Sequence, residues 1–89
     1  MKKGDFVISN KLGFHARAAA KFVKVANAYE SEIFVYKNGE RANGKSILGL
    51  LTLAARNGTV FTITVDGRDE GKALIALKCL IEDKFGEGQ

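Results

Sequence analysis

From Thr59 to Asp66 the chain alternates: Phe61, Ile63 and Val65 face one way, Thr62 and Thr64 the other. Such alternation makes a strand with one face in a core and one in water, which is the habit of antiparallel sheets. It argues against the fully buried parallel strand of a doubly wound fold. A sheet that is wet on one face needs helices on the other. Two stretches supply amphipathic stripes. From Ala16 to Asn27, residues Ala19, Phe22, Val23 and Ala26 recur at i, i+3, i+4 and i+7. Later, Ala73, Leu74, Leu77, Leu80 and Ile81 form a second stripe, with Asp69 placed to cap its helix.

The remaining segments fit between these. Asp5 to Ser9 reads as a strand with Phe6 and Ile8 on one face, followed by a turn at Asn10-Lys11-Leu12-Gly13. Ile33 to Lys37 is a strand, Asn38-Gly39 a hairpin signal, and Glu40 to Asn43 a short polar return strand. Ser46 reads as the N-cap of a brief helix from Ile47 to about Leu53, which ends by Asn57-Gly58. Gly86 to Gln89 is expected to fray. The order β-α-β-β-α-β-α predicts an α+β fold, an open-faced sandwich with a four-stranded antiparallel sheet and three helices on one face. With 89 residues, no proline and no repeat or linker, one domain spanning 1–89 is expected.

Composition narrows the function. No apolar run approaches the ~20 residues of a membrane span. The basic start Met1-Lys2-Lys3 is not followed by the apolar stretch of a signal peptide. A single cysteine, Cys79, excludes an internal disulfide and a cysteine metal cluster, and reads as a gap-filler on a helix. A cytoplasmic chain without metal or cofactor is expected. The net charge of +4 points to acidic partners.

The one histidine, His15, stands where a glycine-containing loop meets the first helix. Helix N-termini present unbonded N–H groups and a positive dipole end to an anion, and Arg17 adds a guanidinium. Imidazole, amides and guanidinium together can accept and release a phosphoryl group. Taken alone, these residues are more ordinarily those of a histidine that merely caps a helix. Arg17, Lys21 and Lys24 form a basic row. In the short second helix Leu50 and Leu53 suffice for inward contacts, so Ile47, Leu48 and Leu51 are expected to include an exposed docking patch.

Two other motifs carry competing readings. Gly39 to Ser46 matches the phosphate-loop pattern G-x-x-x-x-G-K-[ST], and Val60 to Asp66 resembles a strand ending in a magnesium-binding aspartate. The glycine end is spent on a hairpin, however, and the chain is too short for a nucleotide domain of that kind. The element order also overlaps the common RNA-recognition fold; the third strand, Glu40-Arg41-Ala42-Asn43, lacks its aromatic residues, which leaves a small RNA-binding domain as a remote alternative.

With these sites placed, the chain resembles the HPr family, the histidine-containing phosphocarriers of the bacterial phosphoenolpyruvate sugar phosphotransferase system. Leu12-Gly13-Phe14-His15-Ala16-Arg17 resembles the active-site signature, and Asn43-Gly44-Lys45-Ser46-Ile47-Leu48-Gly49 the regulatory serine signature. The resemblance runs from about Phe6 to Gly86. It implies a carrier rather than an enzyme, taking phosphoryl on His15 Nδ1 from phosphorylated enzyme I and passing it to the A domain of an enzyme II. Arg17 would steady the phosphoryl group. Ser46 would be the target of a kinase and phosphorylase, its phosphorylated form serving a transcriptional regulator. Phe14, Ala18, Ala20, Lys21, Lys24, Ile47, Leu48 and Leu51 would contact partners. A monomer that neither binds nucleic acid nor inserts in a membrane is expected. The other class left open is a regulatory relative, in a nitrogen-type phosphorelay or as a Ser46-dependent corepressor. Most family members carry proline after the arginine, where this chain has Ala18; alanine is a good helix former, so the helix should survive.

Overall fold

The alternating strand occupies the interior of the sheet. The computed structural model describes residues 1–9, 13–53 and 58–86. In chain order the elements are β1 (Lys2–Val7), α1 (Ala16–Ala26), β2 (Glu32–Lys37), β3 (Glu40–Asn43), α2 (Ile47–Thr52), β4 (Val60–Asp66) and α3 (Glu70–Glu82). A short 3-10 turn over Lys84–Gly86 follows. The four strands lie in the order β1-β4-β2-β3, and every neighbouring pair is antiparallel. This is the expected α+β open-faced sandwich. The expected turn residues Asn10 to Leu12, the stop at Asn57 and the tail from Glu87 to Gln89 lie outside the described residues.

The apolar half of each strand meets the helices. Phe61, Ile63 and Val65 of β4 are buried beside Ile33 and Val35 of β2. From above, α1 buries Ala18, Ala19, Phe22, Val23 and Ala26; α2 contributes Leu50 and the following turn Leu53; α3 adds Ala73, Leu77 and Ile81. Asn38 and Gly39 both take left-handed backbone (φ 50° and 82°) in the β2–β3 turn, as a two-residue hairpin of twisted strands requires.

Three details differ from the sequence reading. β1 runs from Lys2 to Val7 rather than from Asp5 to Ser9. The six residues of β1 face six of β4, whose backbone groups would otherwise be left unpaired along that side. Ile8, beyond the strand's end, is still buried, and its N–H donates to the Thr59 carbonyl at 2.9 Å. Cys79 is exposed, not a gap-filler, because the buried stripe of α3 passes through residues 73, 77 and 81 on the other side.

Asp69 stands at the N-cap position of α3 but does not cap it with its side chain. Its carboxylate accepts instead from the N–H groups of Glu30 (2.9 Å) and Ser31 (3.0 Å) and from the Ser31 hydroxyl. Ser31 is buried, so this carboxylate satisfies polar groups that would otherwise be costly at the entry to β2. The Ser31 hydroxyl, then the Glu30 N–H, hold the Asp69 carboxyl below the usual carboxylate range. Next to it, the Gly67 N–H, which donates to Glu70 Oε1 at 3.2 Å, does the same for Glu70.

Each helix exit receives a lysine ammonium from another element. Lys45 Nζ donates to the Tyr29 carbonyl beyond α1 (2.8 Å), Lys37 Nζ to the Leu53 carbonyl that caps α2 (2.8 Å), and Lys21 Nζ to the Phe85 carbonyl beyond α3 (2.6 Å). Cations are favoured at the carbonyl ends of helices.

Candidate phosphoryl site

Gly13 has a left-handed backbone (φ 67°) and turns the chain so that Phe14 points inward. The Phe14 ring enters a nest of aromatic rings, 5.5 Å from Phe22, 5.8 Å from Phe61 and 5.4 Å from Phe85. That anchor leaves His15 at the surface as the N-cap residue of α1, in extended backbone (φ −92°, ψ 177°). The first intrahelical bond is Ala19 N–H to the His15 carbonyl at 2.9 Å. The N–H groups of Ala16, Arg17 and Ala18 therefore belong to the turn that has no helical carbonyl to meet. Alanine at position 18 does keep the helix: α1 is regular from Ala16.

The half-buried imidazole makes no capping hydrogen bond; its Nδ1 lies 3.1 Å from the Gly13 carbonyl oxygen. A carbonyl only accepts, so in this contact Nδ1 carries the proton. Nε2 is covered by protein. To attack from Nδ1, the ring must leave Gly13 and shed that proton.

Around this centre the structure divides the expected partner residues. Arg17, Ala20 and Lys24 are exposed on α1. Phe14 and Ala18 are buried, which removes both side chains from any contact surface of the free chain. Phe14 is held by the other rings, and Ala18 faces the core one turn before Phe22. Lys21 is half-buried and bound to the Phe85 carbonyl, so its ammonium does not continue an open row from Arg17 to Lys24. Sequence reasoning missed Phe85, because nothing in a residue next to a polar, glycine-rich tail signals that its ring returns to the histidine loop.

The second site lies on α2, which packs beside α1. Ser46 is its N-cap: the hydroxyl accepts from Gly49 N–H at 3.0 Å. Ile47 and Leu48 are 41% and 73% exposed and Leu51 is half-buried, while Leu50 and Leu53 are in the core. The phosphate-loop pattern builds no cradle. Gly39 lies in the hairpin turn, residues 40–43 form β3, and Lys45 points its ammonium at Tyr29. On the open sheet face, the Phe34 ring of β2 is covered by the Arg41 guanidinium, 4.6 Å from its centroid. Among the described residues no cluster of histidine, cysteine and carboxylates could hold a metal ion, and no helix is long and apolar enough to cross a membrane.

Comparison with known proteins finds relatives over nearly the whole chain. Residues 2–83 match the family model described as PTS HPr component phosphorylation site. The chain is 52% identical, over the full length of both, to the phosphocarrier protein HPr of Neisseria meningitidis serogroup A. It is 47% identical over 72 residues, covering 81% of this chain and 86% of the relative, to the HPr-like protein Crh of Halalkalibacterium halodurans. The crystal structure of HPr-C-His from Thermoanaerobacter tengcongensis superposes with a TM-score of 0.95 at 45% identity, covering 98% of each chain.

Proposed function

The chain belongs to the HPr family of phosphotransferase-system phosphocarriers, and on that premise we propose that His15 carries the phosphoryl group between phosphorylated enzyme I and the A domain of an enzyme II. In the first step the lone pair of deprotonated Nδ1 attacks phosphorus. The bond between phosphorus and the donor atom of phosphorylated enzyme I breaks, and that atom keeps the electron pair. The proton that Nδ1 shares with the Gly13 carbonyl passes to water as the ring turns out. The amides of the first turn of α1 and the Arg17 guanidinium receive the phosphoryl oxygens, and the second transfer reverses the roles.

The observation that carries this reading is the lone imidazole as N-cap of α1, with exposed Arg17 two residues on. Docking uses Ala20, Lys24 and the Ile47–Leu48–Leu51 surface. The test is incubation with labelled phosphoenolpyruvate and enzyme I: acid-labile label is expected on the wild type and none on His15→Ala. Label that persists in the variant refutes the assignment.

A second role, regulation through Ser46, is favoured by its place as the N-cap of α2 beside exposed Ile47 and Leu48. A phosphate there would meet the helix end and change the charge of the docking surface. We place the carrier in the cytoplasm as a monomer of one domain. A related HPr from Thermoanaerobacter tengcongensis has been crystallised as a dimer, so sedimentation of this chain is the check.

A further inference from the structure

The end of the described chain holds three successive residues with positive φ: Lys84 at 53°, Phe85 at 55° and Gly86 at 75°. Left-handed backbone is uncommon for residues with a side chain and usually occurs singly. Two such residues in a row persist only where the surroundings determine them, and here two contacts do so. The Phe85 ring is buried, 5.4 Å from Phe14, and the Phe85 carbonyl accepts from Lys21 Nζ at 2.6 Å.

Both contacts lead to the histidine. Phe14 directly precedes His15, and Phe85 forms one wall of its seat. The His15 backbone N–H and its Nδ1 both lie against the Gly13 carbonyl, at 3.0 and 3.1 Å. The resting imidazole is therefore held against Gly13, the residue that precedes Phe14. Lys21 sits on the helix that His15 begins, and its ammonium fixes the turn that supplies the wall.

We propose that Lys21 and Phe85 are positioning residues for the phosphoryl site, the Lys21–Phe85 tie holding the Phe14 ring and so fixing the Gly13–Phe14 pivot from which the His15 imidazole turns out for transfer. This rests on His15 as the phosphoryl site. It also separates Lys21 from Lys24: Lys24 is an exposed cation available to a partner, whereas Lys21 acts inside the chain. Attack geometry is sensitive to displacements of an ångström, so loosening the seat lowers the rate of the step more than it weakens docking.

The test compares Lys21→Met, which keeps the stem and removes the ammonium, with Lys24→Met and Phe85→Gly, where glycine accepts the left-handed backbone but removes the ring. Two readouts are taken: steady-state phosphorylation by enzyme I, and the NMR signal of the imidazole in the free protein, unambiguous because His15 is the sole histidine. Lys21→Met is expected to lower kcat roughly tenfold to a hundredfold with KM nearly unchanged, and to shift the His15 signal. Lys21→Arg, which can still donate to the carbonyl, should restore much of both. Phe85→Gly should shift the signal in the same direction, whereas Lys24→Met should raise KM and leave the signal in place. A Lys21→Met variant that raises KM alone makes Lys21 a docking cation and overturns the proposal. So does one that changes neither rate nor signal. Should Phe85→Gly unfold, the Lys21 and Lys24 variants decide. Wild-type protein that enzyme I fails to label refutes the phosphocarrier reading itself, while the shift in the free protein still reports on the tie.

Discussion

Gly44 gives a direct test of why a glycine stands in the segment before Ser46. A Cβ built there would lie 2.5 Å from Ile33 Cγ2 and 3.1 Å from the Ile33 carbonyl oxygen. Carbon atoms in contact sit about 3.5–4.0 Å apart, so the gap must open by roughly 1 Å. Neither side gives readily. Gly44 N–H donates to the Ile33 carbonyl at 2.7 Å, and Ile33 is buried in a strand paired with β4. Its branched side chain is also stiff at χ1. Overpacking of this kind costs about 1–3 kcal/mol, against about 0.4–1 kcal/mol gained by making the unfolded chain less flexible. Gly44→Ala should therefore lose about 1–2 kcal/mol net. At about 4–8 °C per kcal/mol for a chain of this size, the melting temperature falls by roughly 5–15 °C. Leucine has no Cγ2, so Ile33→Leu removes the obstructing methyl at a cost of less than about 1.5 kcal/mol by itself. The double variant should be more stable than the sum of the two losses by about 1 kcal/mol. Urea denaturation of all four proteins closes the cycle. A Gly44→Ala protein as stable as wild type, or strictly additive losses, would refute the close approach as the reason for glycine.

Arg17→Ala should change stability by no more than about 0.5 kcal/mol, since the side chain is exposed, yet strongly impair transfer; a thermal melt and a labelling time course together check this. Ser46→Asp should cap α2 as well as serine does and gain about 0.3–1 kcal/mol from the helix end. Its negative charge beside Ile47 and Leu48 should weaken docking of enzyme I, with added salt restoring part of the loss, as initial rates at two ionic strengths will show. The carboxyls of Asp69 and Glu70 titrate lower in the folded chain than in the unfolded one. Their contribution to stability is thus present above the unfolded value near pH 4 and is lost as pH falls toward the folded values. Asp69→Asn should lower stability at neutral pH and flatten its acid dependence in denaturant titrations; an unchanged acid limb would show that the bonds to Ser31 and Glu30 carry no linkage.

Periodicity made the sheet and helices legible, because it reports which face of an element is apolar. Phe61, Ile63 and Val65 needed nothing beyond their alternation. The serine cap was equally local, its hydroxyl reaching only to Gly49. Where the reading failed, the partner lay far along the chain. Asp69 has the sequence context of a helix cap, yet its carboxylate is taken by Ser31, 38 residues away. Lys21 has the spacing of a basic row, but its ammonium goes to Phe85, 64 residues on. Ala18 falls beside the stripe as first read, and only its complete burial reveals that the stripe is wide enough to include it. The loop to His15 was legible as a helix entrance; that Phe14 anchors it was not, since a phenylalanine beside a reactive histidine suits a docking surface as well as a core.

The sheet order has a consequence for how the molecule comes into being. β4 lies between β1 and β2, although it follows both in the chain. As a ribosome delivers the polypeptide, the β2–β3 hairpin can close at once through its two-residue turn. β1 has nowhere to dock until the segment up to Asp66 has emerged, because Lys2 pairs with Val65. Until then two strands keep unpaired edges that could capture a foreign strand. Assembly ends with an insertion rather than an addition, and its rate is set by that late closure of distant segments, the slow topology among small proteins.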